Sequence, residues 1–361
     1  MRIAVVQHVH AGYYSDYLSS LIDEAAATDN YQVKTWSNSI PVFSQHISED
    51  AVVYILVEST TGIGLKWWYA RKLPSILKKI KAAVVIDLNG ISSSAKIPQL
   101  IAIDQNIAQE KKDANAITKY AANIIEKSVS HAQYVIVFSK NKADTLSIKN
   151  NKEIIRFTAP ANFRKFEWHE KIMIKAMQAD NNEYFLSILH DDDDENFMLL
   201  LRAFSRFKKW QQSSMKFLLL PKYEAFEKNI HEKLKTYKYR DDVRLLEGLQ
   251  DTDLVSVVAS AHSFIHASSS FPDLMVLSIA LKCGLPIITN KNADTEEYLG
   301  NAALYIENKS EETLSDALIK LYKDENLHAQ LKDEAEKQSL FLNREEYKLK
   351  LWQLIKTAAQ V

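Results

Sequence analysis

Residues 185–204 read FLSILHDDDDENFMLLLRAF. The first five are apolar except for one serine and suit a short buried strand. Four aspartates and a glutamate follow, Asp191–Glu195. Phe197, Leu200, Leu201 and Phe204 then recur at three- and four-residue spacing, one face of a helix. Strand, short loop and helix start make the repeating unit of parallel α/β sheets, and backbone N–H groups at such a helix start attract phosphate. Here that place carries five acids. They read as a solvated helix start favoured by the macrodipole, as a patch for a basic partner, or as carboxylates around a cation.

The alternation runs the length of the chain. RIAVVQ (2–7) precedes a helical stretch near 15–28, VVYILV (52–57) precedes 65–81, and AAVVIDL (82–88) precedes a long helical region near 100–130. YVIVFS (134–139) precedes a short helix near 140–147, and EIIRFTA (153–159) closes the half. In the second half the strand candidates are YFLSIL (184–189), KFLLLP (216–221), VRLLEG (243–248), HSFIHAS (262–268), LPIITN (285–290) and AALYIE (302–307). Runs this uniformly apolar belong to sheets covered by helices on both faces. Residues 160–182, opened by Pro160, read as a linker, and helices near 325–341 and 345–360 end the chain. The expected fold is α/β, with two Rossmann-like domains and a cleft at the carboxyl ends of their strands.

Bulk composition excludes several functions. The 361 residues are 47% hydrophobic and 25% charged, with a net charge of -1, so no basic footprint suggests nucleic acid. A single cysteine, Cys283, leaves no intramolecular disulfide and fits a reducing compartment. No Cys/His group has zinc spacing, so no metal is expected. The opening MRIAVVQ reads as a strand rather than a secretion signal, and no stretch reaches the roughly 18–20 apolar residues of a membrane span. A cytoplasmic location is expected from these features. Glycine occurs seven times, where an average usage of about 7% gives roughly 25. None lies between Gly90 and Gly248, so few glycine-dependent phosphate loops can form.

The run from Phe264 to Leu331, with CGLPIITN and EEYLGNAALYIE inside it, resembles the C-terminal domain of GT-B fold glycosyltransferases of the large retaining family 4, group 1 type. VRLLEGLQDTDLVSVVASA (243–261) is similar to the segment that precedes it there, and AQYVIVFSKNKADTL (132–146) is the best local match in the first half. The resemblance implies a GT-B arrangement with a deep interdomain cleft. Residues 1–165 form the acceptor-side domain, joined by the helix 345–361, and residues 166–344 form the donor-side domain. It also implies hexosyl transfer from a nucleotide sugar to a glycan or lipid-linked acceptor, as in polysaccharide biosynthesis, without a further cofactor.

The same resemblance locates the donor site. The two family glutamates that contact the donor fall at Phe271 and Ile279, and Glu195 stands at the usual lysine of the diphosphate clamp. LLLPKYEAF (218–226) replaces a glycine-rich segment, and Ile86 replaces a histidine beside the retained Asp87. Gly12, Asp87, Ser268 and Glu297 remain as substrate contacts, with Lys140, Arg164 and Lys222 as cations that could reach a diphosphate. These departures imply weak or absent binding of ordinary nucleotide sugars. The alternative is a pseudoenzyme: a non-catalytic GT-B protein that binds a glycan or accompanies an active glycosyltransferase.

Three further features stand out. His8, His10, His190 and His266 fall at or near strand ends, as structural or site histidines. DLNGISSSAK (87–96) is a polar loop after a strand, either an acceptor holder or a plain connection. LKWWYARKLPSILKKIK (65–81) has six Lys/Arg and no acid. It reads either as a helix broken near Pro74 with its aromatics in the core, or as a peripheral contact with the anionic inner face of a membrane.

Overall fold

The computed structural model describes residues 1–8, 13–36, 47–57, 61–103, 116–150, 154–157, 166–189, 194–221, 224–247, 249, 251–267, 274–306 and 310–360. The chain divides into two compact units, Met1–Ala159 with Asn343–Val361, and Pro160–Leu342.

Unit 1 runs β1 (Arg2–His8), α1 (Tyr13–Thr28), β2 (Gln32–Trp36), β3 (Ala51–Val57), α2 (Gly62–Trp67), α3 (Leu73–Ile80), β4 (Val84–Asp87), β5 (Gln99–Ile103), α4 (Ala116–His131), β6 (Tyr134–Val137), α5 (Lys140–Asn150) and β7 (Ile155–Arg156). Its seven strands lie in the order β2-β3-β1-β4-β5-β6-β7, all parallel. Ile3, Ala4, Val5 and Val6 of β1 are fully buried, which explains why that strand is apolar on both faces. β2 and β3 lie on one side of β1 and β4–β7 on the other, so the carboxyl ends of β1 and β4 form a switch point where such sheets take ligands.

Unit 2 runs α6 (Trp168–Ala179), β8 (Tyr184–Leu189), α7 (Asp194–Gln211), β9 (Lys216–Pro221), α8 (Glu224–Lys235), β10 (Val243–Leu245), α9 (Asp251–Ser260), β11 (Ser263–His266), α10 (Leu274–Lys282), β12 (Ile287–Asn290), α11 (Ala293–Leu299), β13 (Ala303–Ile306), α12 (Glu311–Lys323) and α13 (Glu325–Ser339). The sheet order is β10-β9-β8-β11-β12-β13, again all parallel. Its switch point lies between β8 and β11. The core is the stretch quoted first: Phe185, Phe197 and Phe204 are fully buried. Phe185 meets Phe207 edge-on at 5.1 Å, and Phe204 meets Phe217 at 5.2 Å.

The closing helix, α14 (Arg344–Ala359), belongs to unit 1. It packs on α1, with Leu351, Ile355 and Ala358 buried. Arg344 donates to the Glu24 carboxylate at 2.6 Å and to Ser20 Oγ at 2.8 Å, and Trp352 Nε1 donates to Asp29 at 2.7 Å.

Several elements differ from the sequence expectation. β2 and β5 are strands where none is expected. QLIAI (99–103) sits in the stretch expected to be helical, and α4 begins only at Ala116. The expected linker 160–182 contains α6, which packs on α9. The helix does not break at Pro74. Between α2 and α3 the chain widens into a π turn, Trp68–Lys72, in which the Leu73 N–H bonds to the Trp68 carbonyl five residues back. Proline has no N–H for the carbonyl four residues before it. That carbonyl, Ala70, accepts from Ser94 Oγ at 2.8 Å. Scarce glycine also shows in the backbone. Asn30, Lys81, Asp180, Asn181 and Gln212 take positive φ just past helix ends, a conformation glycine usually fills.

Candidate functional site

At the unit 1 switch point the central group is Asp87, the last residue of β4, only 3% exposed. Its Oδ1 accepts the N–H groups of Asn89 and Ile91, both at 2.9 Å, and its Oδ2 accepts the Tyr69 hydroxyl at 2.9 Å. Asn89 ties the cluster to β1: its Oδ1 accepts the His8 N–H at 3.1 Å and its Nδ2 donates to the Tyr69 hydroxyl oxygen at 3.2 Å. Burial raises the Asp87 carboxyl to about 7, against the opposing pull of these donors. Burial, then the neighbouring carboxylate, raises the Tyr69 phenol well above its ordinary value.

The loop that follows is held at several points. Gly90 turns at a φ of 75°. The Ser92 N–H bonds to Ser128 Oγ at 3.1 Å, and the Ser93 N–H bonds to Gln99 Oε1 at 2.8 Å. Gln99 Nε2 returns bonds to the carbonyls of Ser93 and Ala95 at 3.1 and 3.0 Å. Residues 87–96 therefore form a braced polar shelf beside the end of β1. Sequence reasoning singles out Asp87, His8 and the loop, but not Tyr69 and Asn89 as their partners. The pair Asp87–Asn89 ahead of Gly90 is a turn signal; nothing in the sequence points to Tyr69.

In unit 2, Glu195 is the second residue of α7 and exposed, at the helix start that follows β8. Ile279 is fully buried within α10, the helix after β11, and offers no hydrogen bond there. Glu297 is exposed on α11. That helix is fixed by a capping box, in which Asn292 accepts the Thr295 N–H at 2.9 Å and Thr295 Oγ1 accepts the Asn292 N–H at 3.1 Å. His266 ends β11 and is buried. Lys140 is exposed as the first residue of α5. Gly12, Ser268, Phe271, His10, His190, Asp191–Asp193, Arg164 and Lys222 lie outside the described residues. Among the described residues no group of three or more His, Cys, Asp and Glu is placed to hold a metal ion.

Residues 169–338 match the family model "Glycosyl transferases group 1". No curated protein matches the chain by sequence. Among solved structures, Anabaena HepE, described in complex with UDP and glucose, is 13% identical with a TM-score of 0.73, covering 99% of each chain. WaaG, described as a glycosyltransferase involved in lipopolysaccharide biosynthesis, is 15% identical with a TM-score of 0.69, covering 99% of this chain and 98% of its own. Sucrose-phosphate synthase from Thermosynechococcus elongatus is 16% identical with a TM-score of 0.74, again covering 99% and 98%. At such identities the likeness concerns the fold. Residues 169–338 thus match the glycosyl transferases group 1 model, in a chain with the fold of the GT-B glycosyltransferases.

Proposed function

We propose that the chain transfers a hexosyl group from a nucleotide-sugar donor to a glycan or lipid-linked acceptor, as in polysaccharide biosynthesis. The observation that carries this is the group 1 match over 169–338, within a fold shared end to end with a protein described as binding UDP-glucose. In this reading the donor meets unit 2 at the carboxyl ends of β8 and β11. Glu297 contacts its sugar or ribose, and Gly12 and Ser268 are the further substrate contacts of this reading. Asp87 serves from within, positioning the shelf 87–96 for the acceptor.

The donor's diphosphate is the weak point. Two like unit charges 4 Å apart repel by about 4 kcal/mol at an effective dielectric of about 20. Asp191–Glu195 therefore weaken the binding of any donor whose phosphates approach them, unless Lys140, Arg164 or Lys222 compensates. A second reading is a non-catalytic GT-B protein that binds a glycan or an active transferase. The apolar, buried Ile279 favours it, because a glutamate is expected there from the family pattern.

We also propose that the protein works in the cytoplasm at the inner face of a membrane. Among the described residues no helix is long and apolar enough to cross one. Titration of the full chain with uridine, guanosine and adenosine diphosphate sugars, with turnover followed for each, separates the two readings. Turnover lost in Glu297→Ala supports transfer; silence toward the whole panel supports the second reading.

A further inference from the structure

A surface helix normally turns its apolar stripe inward, and α6 does the reverse. Trp168, Ile172, Met173 and Met177 are exposed at 72%, 52%, 62% and 63%. They follow helical spacing, with His169 and Ala176 facing solvent between them. The other side of the helix carries Glu170, Lys171, Ile174, Lys175 and Gln178, all half-buried. Both ends are fixed. The Glu167 N–H bonds to Glu170 Oε2 at 2.8 Å, and Arg244 donates to the Met177 carbonyl at 2.8 Å. Lys175 is held by Glu183 at 2.5 Å. The stripe is therefore presented on a braced helix, which lowers the ordering cost of covering it. Its four large side chains expose on the order of 500 Å² of apolar surface, more than soluble monomers usually leave in one patch.

We propose that this stripe is the contact by which two copies of the chain form a symmetric dimer. Positions 168, 172, 173 and 177 are mirror-related about the midpoint between 172 and 173. Two such helices can therefore pack antiparallel about a two-fold axis, the isologous arrangement of most dimers. Helical geometry then sets Ile172 and Met173 each against its own copy. It brings the large Trp168 ring to the height of the small Ala176 of the second copy, and the flexible methionines fill the remaining gaps. Two stripes with their margins hide about 1,200 Å², the lower end of specific interfaces. Charge selects against a bilayer as the occupant. Glu167 and Glu170 balance Lys171 and Lys175 around the stripe, so it has no cationic margin for lipid headgroups.

The test is sedimentation equilibrium of the full chain. From about 1 to 100 µM it is expected to show monomer and dimer in exchange, with a dissociation constant on the order of 10 µM. Met173→Glu sets two carboxylates against each other at the two-fold and should weaken the dimer about tenfold or more. Met173→Cys in a Cys283→Ser background should crosslink to its own copy through a short bismaleimide. Trp210→Cys in the same background, at an exposed position of α7, should not. A thermal melt by circular dichroism verifies that each variant stays folded. A monomer throughout the range overturns the proposal. So does a dimer that ignores Met173→Glu and crosslinks no better at position 173 than at 210, which places the interface elsewhere. A monomer that co-sediments with phosphatidylcholine vesicles, and no longer does so in Trp168→Ser, gives the stripe to a bilayer and also overturns it. No nucleotide sugar is present, so failure here leaves the transfer reading untouched.

Discussion

The Tyr69 hydroxyl donates to Asp87 Oδ2 at 2.9 Å inside the unit 1 core, joining the underside of a surface helix to the end of the strand at the switch point. One buried hydrogen bond thus couples two features that are eighteen residues apart in sequence. It also places an ionisable carboxyl where ionisation is costly, and that has a measurable consequence.

Burial holds the Asp87 pKa at about 7 in the folded protein, while the unfolded chain releases the proton near the ordinary carboxylate value of 3.8. Between those values the folded state binds more protons, so this group makes stability fall as pH rises through the window. The upper bound is on the order of 4 kcal/mol. Urea unfolding of unit 1 at pH 5 and pH 8 should show about 2–3 kcal/mol of that loss in the native chain and a flatter dependence in Asp87→Asn. Parallel pH dependences would mean that Asp87 is ionised throughout.

His262 should act on unit 2 with the opposite sign. Burial, then the charges of His328 and Lys175, lower its pKa to about 4. The unfolded chain therefore takes up the proton first as pH falls from about 6.5, and unit 2 loses stability towards pH 4. In His262→Phe that acid sensitivity should shrink. Hydrogen exchange on the β8 and β11 peptides at pH 6.5 and pH 4.5 reads the difference.

The repaired π turn predicts a coupling. Ser94→Ala removes the hydroxyl donor to the Ala70 carbonyl and should cost about 1 kcal/mol. In a Pro74→Ala background the restored N–H can serve that carbonyl, so the same change should cost close to nothing. A double-mutant cycle in urea measures this; additive effects would contradict it.

The closing helix supports unit 1, not unit 2. Ile355→Ala empties a fully buried position on α14 and should cost about 2–5 kcal/mol. Amide protection in β4 and β5, which α14 touches, should drop while β8 and β9 keep theirs.

How much of this was legible in the residues varies with the kind of signal. Residues 185–204 carry unit 2 in plain view, because Phe197, Leu200, Leu201 and Phe204 keep a helical period after an apolar strand. β5 is hidden because QLIAI is five residues of continuous side-chain bulk, compatible with a buried strand or part of a helix. The π turn is hidden because its second donor, Ser94, sits twenty-four residues from Ala70. At the candidate site Asp87 is legible as a lone acid ending an apolar strand. Tyr69 is not, since three consecutive aromatics give no sign of which one faces inward. The positions of Glu195, Ile279 and Glu297 follow from the resemblance, and the structure adds that Ile279 is core while the two glutamates face solvent.

Sugar transfer from a nucleotide donor is tested most directly by calorimetric titration of the purified full chain with the nucleotide diphosphate sugar panel, repeated on Glu297→Ala. Losing a charge-assisted hydrogen bond removes about 1.5–3 kcal/mol, and the acidic run should hold affinity to the weak range, on the order of 0.1–1 mM. The expected result is one panel member binding in that range and weakening at least tenfold in Glu297→Ala. No heat from any member at millimolar concentration, or binding indifferent to Glu297, would contradict the account.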